Sequence, residues 1–193
     1  MNFCSECGAN LVQRIPAGDN RLRYVCNVCQ TVHYQNPKVV AGCIAEWEDK
    51  VLLCRRAIEP RYGLWTLPAG FMENGETTLE AAARETLEEA LARVEIKGLQ
   101  ALFSLPHIDQ IYVMYRGVLL DVNFGAGAES LEVGLFREQD IPWDQLAFRV
   151  VRETLKLYFN DRRVGRTQPH FGDILRNPDA PANEYQVTFL KEH

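Results

Sequence analysis

The segment from residue 70 to residue 92 constrains the fold more than any other part of the chain. Gly70 and Gly75 allow tight turns, and Thr77 followed by Glu80 is a Ser/Thr-x-x-Glu helix start. At about 100° per residue, the helix that follows carries an apolar sector opposite an acidic one. The apolar sector contains Leu79, Ala83, Thr86, Leu87, Ala90 and Val94, and the acidic sector contains Glu85, Glu88 and Glu89. The sequence therefore predicts a helix that ends near Arg93, packs with one face and presents carboxylates on the other.

Three carboxylates at this spacing need positive charge nearby. Like charges three or four residues apart destabilise an isolated helix by roughly 0.2–0.5 kcal/mol per pair. Ordinary ion pairs are one interpretation, because Arg84 is four residues from Glu88 and Arg93 is four residues from Glu89. Glu85, however, has no basic residue at helical spacing. A divalent cation is the other interpretation, since carboxylate oxygens suit Mg²⁺ or Mn²⁺.

Two Cys-x-x-Cys pairs at the start of the sequence predict a structural zinc site. The pairs are separated by the spacing of a zinc ribbon. Four thiolates would close a tetrahedral site and supply folding free energy to residues 1–35, which are too few for a sizeable core. Disulfides or a redox Cys-x-x-Cys are the alternatives. The four predicted zinc ligands are Cys4, Cys7, Cys26 and Cys29.

Charge and hydropathy narrow the class of protein. The 193 residues carry a formal net charge of −5. This acidity argues against a nucleic-acid partner and favours small nucleotides over polymers. The chain has neither a long apolar run nor a basic segment followed by an apolar one at its N-terminus, so we expect no membrane span and no secretory signal. The sequence predicts a soluble cytoplasmic protein with one well-buried core and a small appended module.

Proline and composition divide the chain into three predicted regions. Asn36-Pro37 marks a boundary between the zinc ribbon at 1–35 and a main domain at 36–160. A C-terminal extension at 161–193 is interpreted as a clasp on the fold or a partner surface. Within the main domain, strands are expected at 39–47, 51–55, 94–105, 110–121 and 131–136. A second helix is expected at 143–160, and a short strand at 185–190.

Six positions of the acidic segment resemble the Nudix box. That motif is a glycine, five residues, a glutamate, seven residues, and then Arg-Glu-hydrophobic-x-Glu-Glu-x-Gly-hydrophobic. The matching positions are Gly70, Glu76, Arg84, Glu85, Glu88 and Glu89. Thr86 and Ala92 are weak substitutes for bulky hydrophobic residues, and Leu91 stands where the last glycine is usual. The resemblance implies a hydrolase with an α/β/α sandwich around a mixed sheet, preceded here by the zinc ribbon.

The resemblance also implies metal ligands. In the family the box glutamates hold Mg²⁺ or Mn²⁺, and a backbone carbonyl from the preceding loop commonly joins them. Ala69 or Gly70 would provide that carbonyl here. Glu85 and Glu89 are the first candidate ligands, and Glu88 is the next.

Other catalytic roles follow from the same resemblance. Arg84 is expected to orient a neighbouring carboxylate through a charge-assisted hydrogen bond. A glutamate from a loop after the central strands often serves as a further ligand or base, and Glu129 stands where it is expected. Glu132 is the alternative. An exposed loop acid without a catalytic role is the competing interpretation for both.

Candidate substrate contacts come from arginines and aromatic residues. Arg55 and Arg56 end a predicted strand and could bind phosphates, although a solvated arginine pair fits the sequence equally well. Stacking on a flavin or adenine ring is the proposed role for four aromatic residues, with burial in the core as the alternative. They are Trp65, Phe71, Tyr112 and Tyr115.

The chain resembles two branches of the family, and each implies a substrate. A zinc ribbon ahead of a Nudix domain resembles the NADH pyrophosphatase branch, which carries Ser-Gln-Pro-Trp-Pro-Phe-Pro-x-Ser soon after its box. This chain has Phe103-Ser-Leu-Pro-His-Ile-Asp instead. A closer resemblance, to the plant plastid FAD pyrophosphohydrolases, rests on several segments. They are Phe3-Cys-x-x-Cys-Gly, Tyr34-Gln-Asn-Pro-Lys, Gly63-Leu-Trp-Thr-Leu-Pro-Ala-Gly, Pro106 to Tyr112, Glu129-Ser-Leu-Glu and His170-Phe-Gly.

This second resemblance implies cleavage of FAD to FMN and AMP. ADP-ribose is the leading competing substrate, and NADH is another. A non-catalytic Nudix module that senses a nucleotide is the alternative from a different class, against which the complete set of box glutamates argues. Removal of a nucleotide cap from RNA is a third possibility that the acidic charge disfavours. Relatives with this ribbon resemble homodimers, so a homodimer is expected.

Overall fold

The computed structural model describes residues 1–176 and 184–190. Contacts divide the chain into two compact units, Met1–Pro37 and Lys38–His193. Residues 177–183 and 191–193 of the predicted C-terminal extension lie outside the described residues. The predicted strand at 185–190 lies within the described residues. No helix in the described part of the chain is long and apolar enough to cross a membrane.

The first unit is a small antiparallel sheet with its cysteines at two turns. Its strands are β1 (Leu11–Arg14), β2 (Arg23–Cys26) and β3 (Val32–His33), in the order β1-β2-β3. Apart from Val25 and two of the cysteines, almost nothing in this unit is fully buried. Such a small core predicts that the unit depends on its cysteine centre for stability.

Nine strands of the described residues form the mixed sheet of the second unit. The order is β10-β5-β4-β9-β8-β11-β12, with β6 paired to β5 and β7 paired to β4. The β4–β9 and β8–β11 pairs are parallel, and the others are antiparallel. The strands are β4 (Lys38–Trp47), β5 (Lys50–Arg56), β6 (Trp65–Thr66), β7 (Ala69–Phe71), β8 (Val94–Leu105), β9 (Gln110–Leu119), β10 (Ser130–Phe136), β11 (His170–Arg176) and β12 (Tyr185–Phe189).

Two helices, α1 (Thr78–Ala90) and α2 (Arg149–Val164), cover opposite faces of this sheet. Alternate residues of the central strands point to opposite faces, as the period of two requires. On β5, Leu52 belongs to the cluster that contains the alanines of α1, whereas Leu53 belongs to the cluster that contains Leu155 of α2. The predicted α/β/α sandwich around a mixed sheet is thus confirmed.

Helix α1 begins as predicted but packs through a different face. Thr77 and Glu80 form the predicted capping box. Leu79 and Leu87, expected in the packing face, are 47% and 48% exposed. The buried face instead consists of Ala81, Ala82, Glu85, Thr86, Glu89 and Ala90. The predicted apolar sector is therefore wrong for Leu79 and Leu87, whereas Thr86 and Ala90 are buried as expected. The buried face is turned towards the alanines, whose small side chains let the helix lie close to the sheet and carry two glutamates inward.

The same helix ends earlier than its sequence suggests. Its last residue is Ala90, not Arg93, and Leu91 adopts the left-handed conformation with φ of 50°. Leucine thus occupies the conformation that glycine favours at a helix end. Arg93 lies beyond the helix and pairs with Asp121, not with Glu89.

Helix α2 starts later than predicted, because the residues before it are tied to the sheet. Leu146 bridges Trp65 of β6, and the backbone N–H of Ala147 donates to the carbonyl of Trp65 at 2.8 Å. An extended bridge of this kind is incompatible with helix, so α2 begins at Arg149. It then continues to Val164, beyond the predicted end.

The C-terminal extension contributes a hairpin to the main sheet. Strand β12 was predicted, whereas β11 was not. Strand β11 pairs in parallel with β8 and in antiparallel with β12, so the hairpin forms one edge of the sheet. The prediction missed β11 because its residues lack a clear alternation; only Ile174 is fully buried.

Candidate active site

Glu85 and Glu89 lie one turn apart on the buried face of α1. Their exposed fractions are 9% and 7%. Burial raises the pKa of both carboxyls, and it raises that of Glu89 to about 8 with help from the charge of Glu85. The backbone N–H of Ala69 donates to Glu89 Oε2 at 3.3 Å. The two carboxylates form a buried acidic pair that a cation would stabilise.

Gly70 on β7 makes room for one of these carboxyls. A Cβ at this position would lie 2.4 Å from the carboxyl carbon and both carboxyl oxygens of Glu85. A side chain at this position would have to displace the Glu85 carboxyl. The glycine that opens the sequence motif is therefore required by the position of its first buried glutamate.

Arg84 connects the acidic helix to the loop before it. Its Nη1 donates to Glu85 Oε1 at 2.6 Å and to Glu88 Oε2 at 3.0 Å. Its Nη2 donates to Glu76 Oε1 at 2.8 Å and to the Phe71 carbonyl at 3.2 Å. The hydrogen bond from Arg84 lowers the pKa of Glu76 to about 2. Arg84 thus lies where a residue that orients carboxylates was expected.

The expectation that Glu85 lacks a local basic partner is wrong. Neighbours in sequence normally diverge on a helix surface, which is why helical spacing gave no partner. The side chain of Arg84 instead turns back over the loop, where its Nε donates a hydrogen bond to Glu76 Oε2 at 3.0 Å. From there it also reaches Glu85, the next residue in the chain.

A glycine-containing loop brings Glu129 towards the same carboxylates. The backbone N–H groups of Gly125 and Gly127 donate to the carbonyls of Ala90 and Glu89 at 2.8 and 3.0 Å. A Cβ on Gly127 would lie 1.7 Å from a helix carbonyl oxygen, so this close approach requires glycine. Glu129 follows, and its charge raises the pKa of both buried carboxyls.

A cavity of about 1050 Å³ gathers most of the predicted site residues. This volume is at the upper end of the roughly 300–1,000 Å³ typical of small-molecule sites. The predicted residues that line it are Arg56, Gly70, Phe71, Arg84, Glu85, Glu88, Glu89, Tyr112 and Glu129. Acidic side chains and aromatic rings therefore share one cleft.

Four candidates lie elsewhere. The described residues that line the cavity do not include Arg55, Trp65 or Glu132. Trp65 is buried and packs edge-on against Phe136 at 4.9 Å, so the alternative of burial in the core describes it. Arg55 donates to the Gly63 carbonyl and lies 3.6 Å from Glu132. The pairing of β5 with β10 turns these two charges away from the cleft. Tyr115 also lies outside the lining, with its hydroxyl 2.6 Å from Thr78.

The cleft also contains residues that the sequence did not single out. The guanidinium of Arg56 lies 5.0 Å from the ring of Phe148, just before α2. His107 and Tyr185 form a tilted ring pair at 5.5 Å, and Arg176 lies near them on the hairpin. Phe148, His107 and the Arg176–Tyr185 pair come from three separate parts of the chain, and no local pattern marks them. Only the Pro106 to Tyr112 resemblance pointed to one of them.

The donor set of the acidic end fits a hard divalent cation. The buried carboxyls of Glu85 and Glu89 have raised pKa values. Arg84 does not neutralise them fully, because it is also shared with Glu76 and Glu88. Oxygen donors of this kind suit Mg²⁺ or Mn²⁺. Glu88 is more exposed than the buried pair and lies at the solvent side of the cleft.

The cysteine centre of the first unit fits zinc. Among the described residues, Cys4, Cys7, Cys26 and Cys29 bring their sulfurs within 4.8 Å of one another. Three of the Sγ–Sγ distances are 3.4, 3.5 and 3.6 Å. Zinc–sulfur bonds of about 2.3 Å in a tetrahedron require about 3.8 Å, so the arrangement needs little adjustment. His33 Nε2 lies 3.3 Å from Cys4 Sγ, as a hydrogen-bond partner of a ligand would.

Comparison with known proteins agrees with this architecture. The family described as Nudix N-terminal, a zinc ribbon, matches residues 2–35, and the NUDIX domain matches residues 36–154. A crystal structure of a NUDIX hydrolase from Nitrosomonas europaea is 59% identical, with a TM-score of 0.89. The match covers 91% of this chain and 100% of that one. An ADP-ribose pyrophosphatase from Streptococcus suis is 26% identical over 70% of this chain and 99% of that one, with a TM-score of 0.60.

Curated relatives carry more specific names. An ADP-ribose pyrophosphatase of Methanocaldococcus jannaschii is 36% identical over 60% of this chain and 69% of its own length. The NAD-capped RNA hydrolase NudC of Edwardsiella ictaluri is 36% identical over 54% of this chain. This chain spans 38% of the length of that NudC. Since the NUDIX domain match covers more than half of the residues, the chain belongs to the Nudix family, with a Nudix zinc ribbon before its α/β domain.

Proposed function

We propose that this protein is a divalent-metal-dependent pyrophosphohydrolase that cleaves the phosphoanhydride of FAD to give FMN and AMP. The observation that carries the proposal is the single cleft that contains both the buried Glu85–Glu89 pair and an aromatic wall. Tyr112 and Phe71 belong to that wall, and Arg56 lies beside it. A dinucleotide has the matching parts, namely a charged diphosphate and two planar rings.

Metal ligands are proposed from the buried face of α1. Glu85, Glu89 and Glu88, with the Gly70 carbonyl, would hold Mg²⁺ or Mn²⁺. The ion would neutralise charge on the phosphate oxygens and promote deprotonation of water. Arg84 holds the carboxyls of Glu85 and Glu88 in place through its two short hydrogen bonds.

Two further side chains have proposed roles towards the substrate. Glu129, on the glycine-containing loop, would accept the proton of the attacking water. Its charge acts on both buried glutamates, which supports this position beside the reacting groups. Arg56 would bind phosphate oxygens, because its guanidinium lies over the Phe148 ring at the cleft and keeps donors available.

The choice of FAD rests on the segments that resemble plant plastid FAD pyrophosphohydrolases. Three of these segments supply cleft residues. Ala69 and Gly70 end the segment that starts at Gly63, the Pro106 to Tyr112 segment supplies His107, Gln110 and Tyr112, and Glu129 begins the third. ADP-ribose is the second candidate, which the Methanocaldococcus jannaschii relative favours. NADH or an NAD-linked compound is the third, which the NudC relatives favour. A non-catalytic nucleotide sensor is the alternative outside enzymes.

The zinc ribbon and the assembly complete the proposal. The zinc centre would be structural, since four thiolates leave no open coordination position. The protein would act as a cytoplasmic homodimer on a small-molecule substrate.

The test is purified protein with Mg²⁺ or Mn²⁺ against FAD, NADH and ADP-ribose, with the nucleotide products resolved by chromatography. Release of FMN and AMP from FAD, lost in Glu89→Gln, is the expected result. Glu132→Gln is the matched control, because Glu132 lies outside the cleft. If only ADP-ribose or NADH is hydrolysed, the proposed pyrophosphohydrolase reaction stands and FAD is not the substrate. No turnover of any compound would favour the sensor.

A further inference from the structure

The β11–β12 hairpin forms a wall of the cleft although it lies beyond the matched NUDIX domain. The domain match ends at residue 154, whereas β11 starts at His170. Ile174 and Arg176 of β11 and Tyr185 of β12 line the same cavity as the acidic residues. This wall belongs to a segment that the domain match leaves out.

The hairpin is attached to the sheet by more than its backbone. Strand β11 pairs with β8 from His170–Ala101 to Asp173–Ser104. Behind this pairing, the buried carboxylate of Asp161 on α2 links two elements. Gln100 Nε2 donates to Asp161 Oδ2 at 2.7 Å, and His170 Nε2 lies 2.8 Å from the same oxygen. The start of β11 is thus attached to both β8 and α2, and its pairing with β12 continues to Arg176, which lies opposite Tyr185.

The strand order separates this wall from the acidic end of the cleft. Glu85 and Glu89 lie beside β7, which pairs with β4, and the hairpin follows after β9 and β8. Strand spacings of about 4.8 Å place β11 roughly 14 Å from β4. A group bound at the hairpin is therefore distant from the diphosphate, although both occupy one cavity.

The chemistry of the hairpin end differs from that of the acidic end. Tyr185 presents a ring to the cavity, supported by the tilted contact with His107 at 5.5 Å. Ile174 adds apolar surface, and Arg176 adds hydrogen-bond donors and a planar cation. A phenol ring next to aliphatic and guanidinium surface suits a planar heteroaromatic ring with carbonyl or ring-nitrogen acceptors.

We propose that Tyr185 and Arg176 form a ring-binding subsite that holds one planar heteroaromatic ring of the dinucleotide away from the scissile diphosphate. The inference rests on the proposed function for its substrate class. Tyr185 would stack on the ring, and Arg176 would donate to its acceptor atoms. The hairpin is thus a determinant of substrate specificity, and the acidic helix supplies the chemistry.

The test compares Tyr185→Ala with Gln186→Ala in the full-length protein. Gln186 is the adjacent residue on β12, is exposed and does not line the cavity. Steady-state kcat and KM for FAD and ADP-ribose are measured for each variant, together with Tm. Loss of one stacking contact predicts about a tenfold rise in KM in Tyr185→Ala, equivalent to about 1.4 kcal/mol. Little change is expected in kcat, and a modest fall in Tm, because Tyr185 also packs against the core cluster. Gln186→Ala should change neither KM nor kcat.

The two substrates identify the ring. A rise in KM for FAD alone places the flavin at Tyr185, whereas equal rises for FAD and ADP-ribose place the adenine there. An unchanged KM for both substrates would overturn the subsite, and so would a fall in Tm and kcat without a change in KM. If wild-type protein turns over neither compound, the proposed function fails. The subsite is then judged by equilibrium binding of FAD and ADP-ribose to the same variants.

Discussion

At the scale of single residues, the site depends on a contact between a glycine and a glutamate. Gly70 has no conformational peculiarity that would demand glycine, since its φ is not positive. It accommodates Glu85, because the Glu85 carboxyl fills the space that a Cβ would take. Sequence spacing finds this glycine, but only the structure shows what it accommodates.

Gly70→Ala is therefore expected to displace the Glu85 carboxyl and to lower kcat/KM by at least about tenfold, equivalent to about 1.4 kcal/mol. The measurement is FAD hydrolysis at saturating metal. Gly98→Ala is the control, because its Cβ would meet nothing closer than Arg116 Nη2 at 3.7 Å. Equal activity in Gly70→Ala and wild type would show that Glu85 can move without loss.

The raised pKa of Glu89 predicts a pH-dependent effect on stability. Its pKa lies near 8 in the folded protein and near 4.5 when unfolded, so the folded state holds more protons between these values. Stability of the metal-free protein must then fall as pH rises through this window. Glu89→Gln removes that loss, and we expect a gain on the order of 2 kcal/mol at pH 8, or roughly 4–8 °C in Tm.

Thermal unfolding of the second unit between about pH 5 and pH 8 checks this expectation, because folded and unfolded proton binding differ across this range. The buffer contains no Mg²⁺ or Mn²⁺ and no chelator, so that the zinc ribbon keeps its metal. Glu88→Gln is the matched control, because the side chain of Glu88 is 58% exposed. A Tm difference between Glu89→Gln and wild type that stays constant with pH would contradict the expectation.

At the scale of elements, the end of α1 carries avoidable strain. Leu91 adopts φ of 50° and is 54% exposed. A non-glycine residue in this conformation costs about 1 kcal/mol. Leu91→Gly is thus expected to stabilise the protein by about 0.5–1 kcal/mol, measured as a higher urea midpoint.

Leu87→Gly provides the opposite case within the same helix. Leu87 is exposed and lies in the helix interior, so glycine there is expected to destabilise by about 1 kcal/mol. The same exchange, four residues apart, should give opposite signs. A loss of stability in both variants would mean that contacts of the Leu91 side chain outweigh its strained backbone.

Sequence reasoning recovered most elements, and its misses have physical causes. Strands β4, β5, β8 and β9 stand close to their predicted bounds, because β-branched and aromatic runs between turns are strong signals. The packing face of α1 was missed because alanine is a weak apolar signal, and a buried carboxylate looks like an exposed one. The cleft wall was missed because its residues are adjacent only after the sheet forms.

At the scale of the whole molecule, the two units differ in what stabilises them. The second unit has two hydrophobic clusters, one on each face of its sheet, whereas the first has almost no buried apolar side chains. Cys26→Ser is expected to abolish zinc binding and the fold of the first unit outright, because metal binding supplies its folding free energy. The second unit should retain its own thermal transition.

Calorimetry and zinc content measure these outcomes. Cys54→Ala is the control, because Cys54 is buried in the second unit and does not belong to the zinc centre. It should lower the transition of the second unit by a few degrees and leave one zinc per chain. Loss of both transitions in Cys26→Ser would show that the main fold depends on the ribbon.

The edge position of β12 has a consequence for how such enzymes diversify. Within the described residues it pairs with β11 alone, so its exposed positions, such as Gln186, can change without altering the pairing of the central strands. The acidic helix packs against β4, three strands from β11. Mutation at the edge can therefore be tolerated while the reaction centre stays intact. Exchanging this hairpin between relatives is accordingly a direct route to new substrates on an unchanged hydrolytic core.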